Sequence, residues 1–191
     1  FGAGAIGGYL AVMLKKSGYQ VSIVARGPHL EAIKKNGLKL FTTENEYTVQ
    51  LDANETAPDQ PQDYVFVTVK STGLEPLAKS LKKLSDNGAT MIPAINGVPH
   101  WYFFKIGNKW QNTYLKSLDP RKAIEKSMPF KSVIGTIVYP ACEIAAPGVI
   151  KHISGNRFSL GEPSGEKTSR ILNLSKILTE SGLKAPVTKK I

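Results

Sequence analysis

Three glycines at the beginning of the chain have the spacing of a loop that binds phosphate. Gly2, Gly4 and Gly7 satisfy the pattern G-x-G-x-x-G within the run FGAGAIGGYL. In such a loop the first glycine permits a tight turn from strand to helix. The second lets a pyrophosphate approach the backbone, and the third lets the helix pack closely on the sheet. The candidate cofactor contacts are Gly2, Ala3, Gly4, Ala5, Ile6 and Gly7.

Because glycine clusters also form plain turns, the context of the loop matters. The residues that follow predict a helix over 5–17 that stops at Gly18, and then a buried strand, YQVSIVAR. Roughly twenty residues after such a loop, a dinucleotide fold places the group that meets the adenosine ribose. That position holds Arg26, and no Asp or Glu lies between Val21 and Gly27. A carboxylate would repel a 2′-phosphate and a guanidinium would clamp it, so the sequence favours NADP over NAD. The alternative is an incidental surface arginine.

Two further strands end in polar residues. VFVTVK ends at Lys70 and MIPAIN ends at Asn96. In an open α/β sheet the ligand lies beyond the carboxyl ends of the strands, so we expect Arg26, Lys70 and Asn96 to share one edge. The lysine could meet a phosphate, a ribose or a carboxylate, and the amide can both donate and accept. The alternatives are a lysine that reaches into solvent and an asparagine that serves a turn.

The elements that position these residues alternate between strands and helices. This order predicts an α/β fold of the Rossmann type, doubly wound, with a mainly parallel sheet. We predict one dinucleotide-binding domain over 1–186, with 187–191 beginning a second. The remaining regular elements are helices at 28–37, 74–88 and 166–182, strands at 63–70, 89–95 and 133–141, and a hairpin from LKLFTT and YTVQLDA.

Three stretches are predicted on weaker patterns. VPHWYFFKIG, at 98–107, is interpreted as the start of a helix, with its aromatic residues either anchoring the core or lining a cleft. The polar residues 107–131 predict a short hairpin followed by a short helix. GVIKHISG and NRFSLGEP predict two antiparallel strands that pair around a turn at Gly155 and Asn156.

Composition limits the partners. The 191 residues carry 25 Lys and Arg against 15 Asp and Glu, a net charge of +10 that favours anionic partners. Basic and aromatic residues do not interleave, so we expect phosphorylated small molecules rather than nucleic acid. No apolar stretch approaches the roughly 18 residues of a membrane span, so no membrane partner is expected. The single cysteine, Cys142, is interpreted as a small buried residue in a cytoplasmic protein. His29, His100 and His152 are too scattered to predict a metal site.

Four segments together resemble the ketopantoate reductase family. They are GAGAIGG near the start, VTVKS at 67–71, INGVP at 95–99, and GTIVYPACEIAAPGVIKHISGNRFSLGEP at 135–163. The resemblance extends over nearly the whole chain. The spacing of the first three motifs, with the PGVIKH segment, is far more specific than the glycine loop alone.

The resemblance implies NADPH-dependent reduction of 2-dehydropantoate, a small 2-oxo acid, to (R)-pantoate on the way to pantothenate and coenzyme A. By resemblance, residues 2–7 hold the pyrophosphate and Arg26 contacts the 2′-phosphate. Lys70 and Asn96 match residues that approach both cofactor and substrate. Ala141, in YPAC, falls near a further cofactor contact.

The chain departs from the family pattern at its ends. The family's proton-donating lysine lies in a helical second domain, in a segment W-x-K-L-x-x-N, so it is expected beyond Ile191 and no catalytic residue is assigned here. The first strand of the sheet is expected before Phe1. Two other functions stay open: reduction of a different 2-oxo acid, and a non-catalytic NADP-binding sensor. The sequence does not decide the oligomeric state, and a homodimer stays open.

Overall fold

The computed structural model describes residues 1–105 and 107–191. The helices are α1 (Ala5–Lys16), α2 (Gly27–Asn36), α3 (Leu74–Asp86), α4 (Ala123–Ser127) and α5 (Ser169–Glu180). The strands are β1 (Ser22–Val24), β2 (Leu38–Phe41), β3 (Glu46–Val49), β4 (Asp52–Asn54), β5 (Tyr64–Val67), β6 (Thr90–Pro93), β7 (Gly135–Val138), β8 (Ala141–Ala146), β9 (Val149–Ser154) and β10 (Phe158–Gly161). Short 3-10 turns cover Ser71–Gly73 and Phe130–Ser132. None of the helices described has the length and apolar character needed to cross a bilayer.

The main layer is a largely parallel sheet. β1 pairs with β4 and β5 pairs with β6, both in parallel, with Ile23 opposite Ala53 and Val65 opposite Met91. A parallel bridge between Met91 and Val133 leads from β6 towards β7, and β10 lies antiparallel to β7. The predicted Rossmann-type α/β architecture is confirmed.

Residues 1–3 join the two halves of the parallel sheet. The amides of Gly2 and Ala3 donate to the carbonyl of Val24 at 3.2 and 3.0 Å, and the amide of Thr68 donates to the carbonyl of Phe1 at 2.9 Å. The rest of β1 and β5 borders a cavity of about 920 Å³, which α1 and α5 also line. The hydrogen bonds described between the two halves therefore lie at the glycine loop.

A second sheet, in the order β3-β2-β9-β8, covers the other side of α1. The predicted β2–β3 hairpin is confirmed, since Leu40 lies opposite Tyr47 in an antiparallel pair. β9 joins β2 in parallel, with Leu40 opposite Ile150. A Cβ built on Gly8 of α1 would lie 2.6 Å from Ile150 Cγ1. The absence of a side chain at Gly8 thus lets the second sheet approach the helix.

The predicted pairing of GVIKHISG with NRFSLGEP is wrong. β9 pairs with β2 and with β8, whereas β10 pairs with β7. The physical reason is that the two strands bury different faces. Ile150 on β9 packs over α1, while Phe158 and Leu160 on β10 are fully buried inside the main layer. The Gly155–Asn156 turn connects two layers rather than two partners, and Ala141–Ala146 forms the antiparallel partner of β9.

The helix predicted at 98–107 is also wrong where the structure describes it. Residues 100–105 form successive turns, with the amide of Tyr102 donating to Pro99 and that of Phe104 to Trp101. Trp101 is buried as a core anchor, but Tyr102 is 52% exposed, so the aromatic residues do not share one helical face. Ile106 lies outside the described residues.

The polar stretch that follows contains one of its two predicted elements. The described part of 107–122 has turns and no strands, so the predicted hairpin is wrong, while the short helix is confirmed as α4. Asn112 and Lys122 have φ values of 59° and 55°, left-handed conformations that interrupt an extended strand.

Candidate functional site

The glycine loop and three strand ends lie at one edge of the main layer. The loop bonds to Val24 at the end of β1 and to Thr68 just beyond β5, so the carboxyl ends of both strands adjoin it. Arg26 follows β1 and Lys70 follows β5. Asn96 follows β6, which runs parallel to β5. We call residues 2–7, Arg26, Lys70 and Asn96 the rim.

The glycines of the loop differ in what surrounds them. Gly2 has a φ of +98°, and a Cβ built on it would lie 2.7 Å from Val69 Cγ1. A Cβ on Gly7 would collide with the Gly2 carbonyl and come within 2.5 Å of the Thr68 hydroxyl. By contrast, no described heavy atom lies within 4 Å of a Cβ placed on Gly4. Packing requires the first and third glycines, and the second faces open space that a ligand can enter.

The first turn of α1 offers free amides to that space. Gly4 caps the helix without a side-chain hydrogen bond, and the first turn contains no acidic residue. The first helical hydrogen bond runs from the Gly8 amide to the Gly4 carbonyl at 2.7 Å. The amides of Ala5, Ile6 and Gly7 therefore lack helical acceptors, and the positive end of the helix dipole reinforces them. This geometry fits a pyrophosphate.

Arg26 places a free guanidinium at the start of α2. Its backbone is extended and caps the helix, and its side chain is exposed. The preceding residue continues the sheet, since the Ala25 amide donates to the Asn54 carbonyl at 3.0 Å. Within the described part of the chain, no hydrogen bond or ion pair engages the Arg26 side chain. A planar fork with five donors is therefore available to an anion.

Lys70 is exposed where β5 gives way to the 3-10 turn Ser71–Gly73. Its carbonyl accepts from the Gly73 amide at 2.7 Å, which fixes the backbone. Among the residues that the structure describes, no carboxylate pairs with its ammonium group. Lys82, which bonds Asp86 at 2.7 Å, is neutralised within the chain. The rim therefore carries free positive charge at Lys70.

Asn96 is already engaged by the protein. Its Nδ2 donates to the Val138 carbonyl at 2.8 Å, and its Oδ1 accepts from the Val138 amide at 3.1 Å. The Asn96 side chain thus bonds to Val138 as the backbone of a neighbouring strand would, and it connects the ends of β6 and β7. A carboxamide has two N–H donors and two lone pairs on its oxygen, so one of each remains for a ligand.

Ala141 lies outside the main layer. It is the first residue of β8, is exposed, and pairs with Ser154 of β9. β8 follows β7 after two residues, Tyr139 and Pro140, so Ala141 lies near the carboxyl end of β7. An alanine can contact a cofactor through its backbone or its methyl group.

Two residues at the site were missed from the sequence. The Thr68 hydroxyl donates to the Gly2 carbonyl, which ties the glycine loop to β5. The ring of His29, in the first turn of α2, accepts from the Gly148 amide at 3.0 Å. The VTVKS motif contains Thr68, but its most conspicuous residue is the lysine. No local pattern could connect His29 to a glycine in another sheet.

The cysteine does not add a reactive group to the rim. Burial raises the pKa of Cys142 to about 12, so the thiol stays protonated at neutral pH. Tyr9 of α1 lies nearby, and burial raises its pKa to about 12 as well. Cys142 is half-buried at the edge of the core, less enclosed than the small buried residue predicted, and its raised pKa fits an unreactive thiol.

Comparisons with known proteins agree with this geometry. The family model described as ketopantoate reductase PanE/ApbA matches residues 1–105. A 2-dehydropantoate 2-reductase of Mesorhizobium japonicum is 44% identical over 193 residues, covering 100% of this chain and 59% of its own length. A crystal structure from Ralstonia solanacearum, provisionally described as a ketopantoate reductase, has a TM-score of 0.91 at 34% identity; it covers 99% of this chain and 59% of its own.

A more distant structure shares the fold. D-mandelate dehydrogenase, determined with NADH and anilino(oxo)acetate, matches with a TM-score of 0.78 at 22% identity, over 98% of this chain and 55% of its own. At this identity the likeness shows the fold alone.

A parallel sheet whose glycine loop opens a helix is the architecture of a Rossmann-type dinucleotide-binding domain. The match over residues 1–105 shows that the chain belongs to the ketopantoate reductase PanE/ApbA family. The predicted resemblance is confirmed. The chain spans about 59% of the length of the Mesorhizobium relative.

Proposed function

We propose that the protein containing this chain reduces 2-dehydropantoate to (R)-pantoate with NADPH, a step towards pantothenate and coenzyme A. The observation that carries the proposal is the pairing of an open helix terminus at Gly4 with a free guanidinium at Arg26, within the described residues. The 44% identity to the Mesorhizobium relative supports the choice of substrate. A cytoplasmic location is proposed because the sequence has a single cysteine, Cys142.

The residues of the rim fit this cofactor. Amides of residues 2–7 would hold the pyrophosphate, and Arg26 would form a charge-assisted fork with the 2′-phosphate. Lys70 and Asn96 would flank the nicotinamide half, with Ala141 as a further contact. When bound, the reduced nicotinamide supplies a hydride to the carbonyl carbon of the substrate.

Lys70 and Asn96 would also serve the substrate. As the carbonyl is reduced, negative charge grows on its oxygen, and a nearby ammonium group stabilises that charge. Lys70 suits this role because no described carboxylate neutralises it. The remaining N–H of Asn96 can donate to the same region while its other groups stay on Val138. No proton donor is assigned within the chain.

The cavity between β1 and β5 supports the proposal of a further central strand. Ser22 and Ile23 of β1 and Tyr64 and Phe66 of β5 line the cavity, and the Phe1 nitrogen donates to the Phe66 carbonyl at 2.5 Å. We propose that a parallel strand leading into Phe1 fills it. At the other end, the Thr188 amide donates to Leu160 at 2.8 Å. The predicted boundary at residue 186 stays a prediction, and because this hydrogen bond attaches residue 188 to β10 we propose that the first domain extends about that far.

An assay of the full-length protein tests the proposed function. NADPH and NADH are each supplied with 2-dehydropantoate and with a panel of other 2-oxo acids, including aryl ones. We expect the highest kcat/KM for 2-dehydropantoate with NADPH. The fold shared with D-mandelate dehydrogenase shows why the panel is needed, since the scaffold alone does not select the oxo acid.

Two results would replace the proposal. Faster turnover of another 2-oxo acid would assign a different reductase. Tight NADPH binding without turnover of any 2-oxo acid would favour a sensor.

A further inference from the structure

The edge of the main layer that carries the rim continues past β7 to the start of β10. β10 runs antiparallel to β7, with Phe158 opposite Val138, so the residues just before β10 lie beside the carboxyl end of β7. The Tyr139 amide donates to the Arg157 carbonyl at 3.1 Å, which extends this pairing by one residue. Because Asn96 bonds to Val138, Arg157 lies on the far side of β7 from Asn96, at the same edge.

Two contacts hold the Arg157 side chain in place. Its Nε donates to the hydroxyl of Ser159 at 2.9 Å, and Ser159 is 3% exposed, so the acceptor belongs to the packed part of β10. The guanidinium carbon also lies 5.1 Å from the centroid of the Tyr139 ring, a cation–π contact. Since Tyr139 directly follows Val138, the charged group is kept beside the end of β7.

The guanidinium group of Arg157 retains most of its hydrogen-bonding capacity. Arg157 is exposed, and within the described ranges no carboxylate pairs with it. Of its five N–H donors, only the one on Nε has a described acceptor, so the four on the terminal nitrogens remain. By contrast, the guanidinium of Arg170 on α5 bonds to Glu162 and to two backbone carbonyls. A free planar fork can bind a carboxylate through two parallel hydrogen bonds.

The substrate of the proposed reaction has one group without an assigned partner. Every 2-oxo acid carries a carboxylate on the carbon next to the carbonyl that is reduced. Lys70 and Asn96 are assigned to that carbonyl and Arg26 to the 2′-phosphate, yet a carboxylate that leaves water needs a cation or several donors. Strands in a sheet lie about 4.8 Å apart, so the start of β10 is roughly 10 Å from Asn96. An extended arginine side chain and a small acid can span that distance together.

Resting on the proposed function, we propose that Arg157 binds the carboxylate of the 2-oxo acid, while Lys70 and Asn96 act on its carbonyl group. This role makes Arg157 a specificity-determining residue for 2-oxo acids. Its effect should be on substrate binding, because the carboxylate keeps its charge throughout the reaction and is held equally before and during hydride transfer. The cofactor should be little affected, since its phosphates are assigned to the glycine-loop end of the rim.

Three substitutions in the full-length protein test the role. Arg157→Met removes the charge but keeps an apolar stem against Tyr139. Arg157→Lys keeps the charge but loses the planar fork. Lys82→Met is the matched control, because it removes one positive charge towards the end of α3 that is remote from Lys70. For each protein, kcat and KM are measured with the preferred 2-oxo acid and NADPH, the Kd for NADPH by calorimetry, and stability by thermal melting.

We expect Arg157→Met to raise KM about 30-fold, as expected for one charge-assisted pair, and to change kcat less than about threefold. Arg157→Lys should recover most of this loss, with a KM within about fivefold of wild type, because a point charge still attracts the carboxylate. The Kd for NADPH should stay within about twofold in every variant, and Lys82→Met should match wild type throughout. A purely structural role would instead lower the melting temperature, kcat and both affinities together.

Three results would overturn the proposal: an unchanged KM in Arg157→Met, a loss of NADPH affinity as large as the rise in KM, or no recovery in Arg157→Lys. If Arg157→Met does not fold, Arg157→Gln replaces it as the uncharged variant and the same limits apply.

Failure of the proposed function is seen in the wild-type protein, before any variant is made. If another 2-oxo acid is reduced faster, the proposed function fails and the Arg157 role is tested with that acid, which has the same carboxylate. Absence of turnover with any 2-oxo acid would reject both. If the wild type reduces 2-dehydropantoate and Arg157→Met matches it, the carboxylate role fails and the function stands.

Discussion

At the glycine-loop end of the rim, Arg26 and the first-turn amides of α1 face open space, with no partner among the described residues. At the β6 end, both polar atoms of Asn96 already bond to Val138, at 2.8 and 3.1 Å. The glycine-loop end therefore has hydrogen-bond donors without protein acceptors, which an anion could bind. At the β6 end, the Asn96 side chain and the Val138 backbone bond to each other and order the chain. One N–H and one oxygen lone pair of Asn96 remain available to a ligand.

The contrast divides two tasks between the ends. Tight binding of phosphate groups needs free donors and positive charge, which an exposed surface can provide at low cost because water solvates it between ligands. Chemistry at a carbonyl needs groups held in one geometry, which additional protein contacts provide. We therefore expect substitutions at the loop end to change affinity, and substitutions at the β6 end to change order and rate.

The largest expected effect comes from Gly7→Ala. The new methyl group would collide with the Gly2 carbonyl and the Thr68 hydroxyl, so helix and loop cannot keep their present separation. We expect a loss of about 3 kcal/mol in the free energy of unfolding, measured by denaturant titration, the upper range for overpacking. An unchanged midpoint would show that the loop is not held against β5 as the structure has it.

Gly4→Ala is the matched control within the loop. Its methyl group meets no described atom, and Gly4 has a φ of −69°, which any residue can adopt. We expect unchanged stability, because nothing in the fold opposes the side chain. NADPH binding should nevertheless weaken markedly in calorimetry, because the methyl group takes space assigned to the pyrophosphate. Full affinity would place the phosphates elsewhere.

Arg26→Ala should have the next largest effect. Removing the guanidinium deletes charge-assisted hydrogen bonds to the 2′-phosphate, worth about 2 kcal/mol or roughly 30-fold in Kd. NADH binding should change less than about twofold, so the ratio of the two affinities is the readout. Since Arg26 makes no described side-chain contact, its thermal melt should not move. Equal affinity for both cofactors in the wild-type protein would remove the basis of this comparison.

The two ends of the rim also differed in how far the sequence could describe them. The glycine loop, α1 and the strand leading to Arg26 form one continuous segment, and its turn, helix and strand signals are local. The β2–β3 hairpin was predictable for the same reason. Such contacts join residues close in sequence, where spacing alone carries the geometry.

The β6 end depends on long-range contacts. Asn96 bonds to a backbone group 42 residues away, and neither residue's type indicates the other. β9 and β10 were paired with each other because they are neighbours in sequence, but burial against different layers separates them. The sequence predicts a helix for the aromatic residues after Asn96. In the structure Trp101 is buried, whereas the next residue, Tyr102, is exposed. Tertiary packing decided each of these features.

The smallest effect, and the sharpest test of the contrast, is expected from Asn96→Asp. A carboxylate can still accept from the Val138 amide, but its second oxygen would replace Nδ2 and face the Val138 carbonyl. Because the second carboxylate oxygen cannot donate to the Val138 carbonyl, that hydrogen bond is lost. The free energy of unfolding should fall by about 1–2 kcal/mol at neutral pH. The same change should reduce kcat more than it raises the Kd for NADPH, because the phosphate contacts lie elsewhere.

The pH dependence of this variant identifies the cause. Facing a carbonyl, the new carboxyl should have a pKa above its unfolded value, so its protonated form, which can donate to Val138, is favoured in the folded state. The deficit against wild type should therefore be full above the folded pKa and shrink as the pH falls from about 7 to about 4. Lys70→Met is the control, since Lys70 has no described side-chain partner and its melt should follow wild type at every pH. A deficit in Asn96→Asp that does not vary with pH would mean that the bond to the Val138 carbonyl does not order this end of the rim.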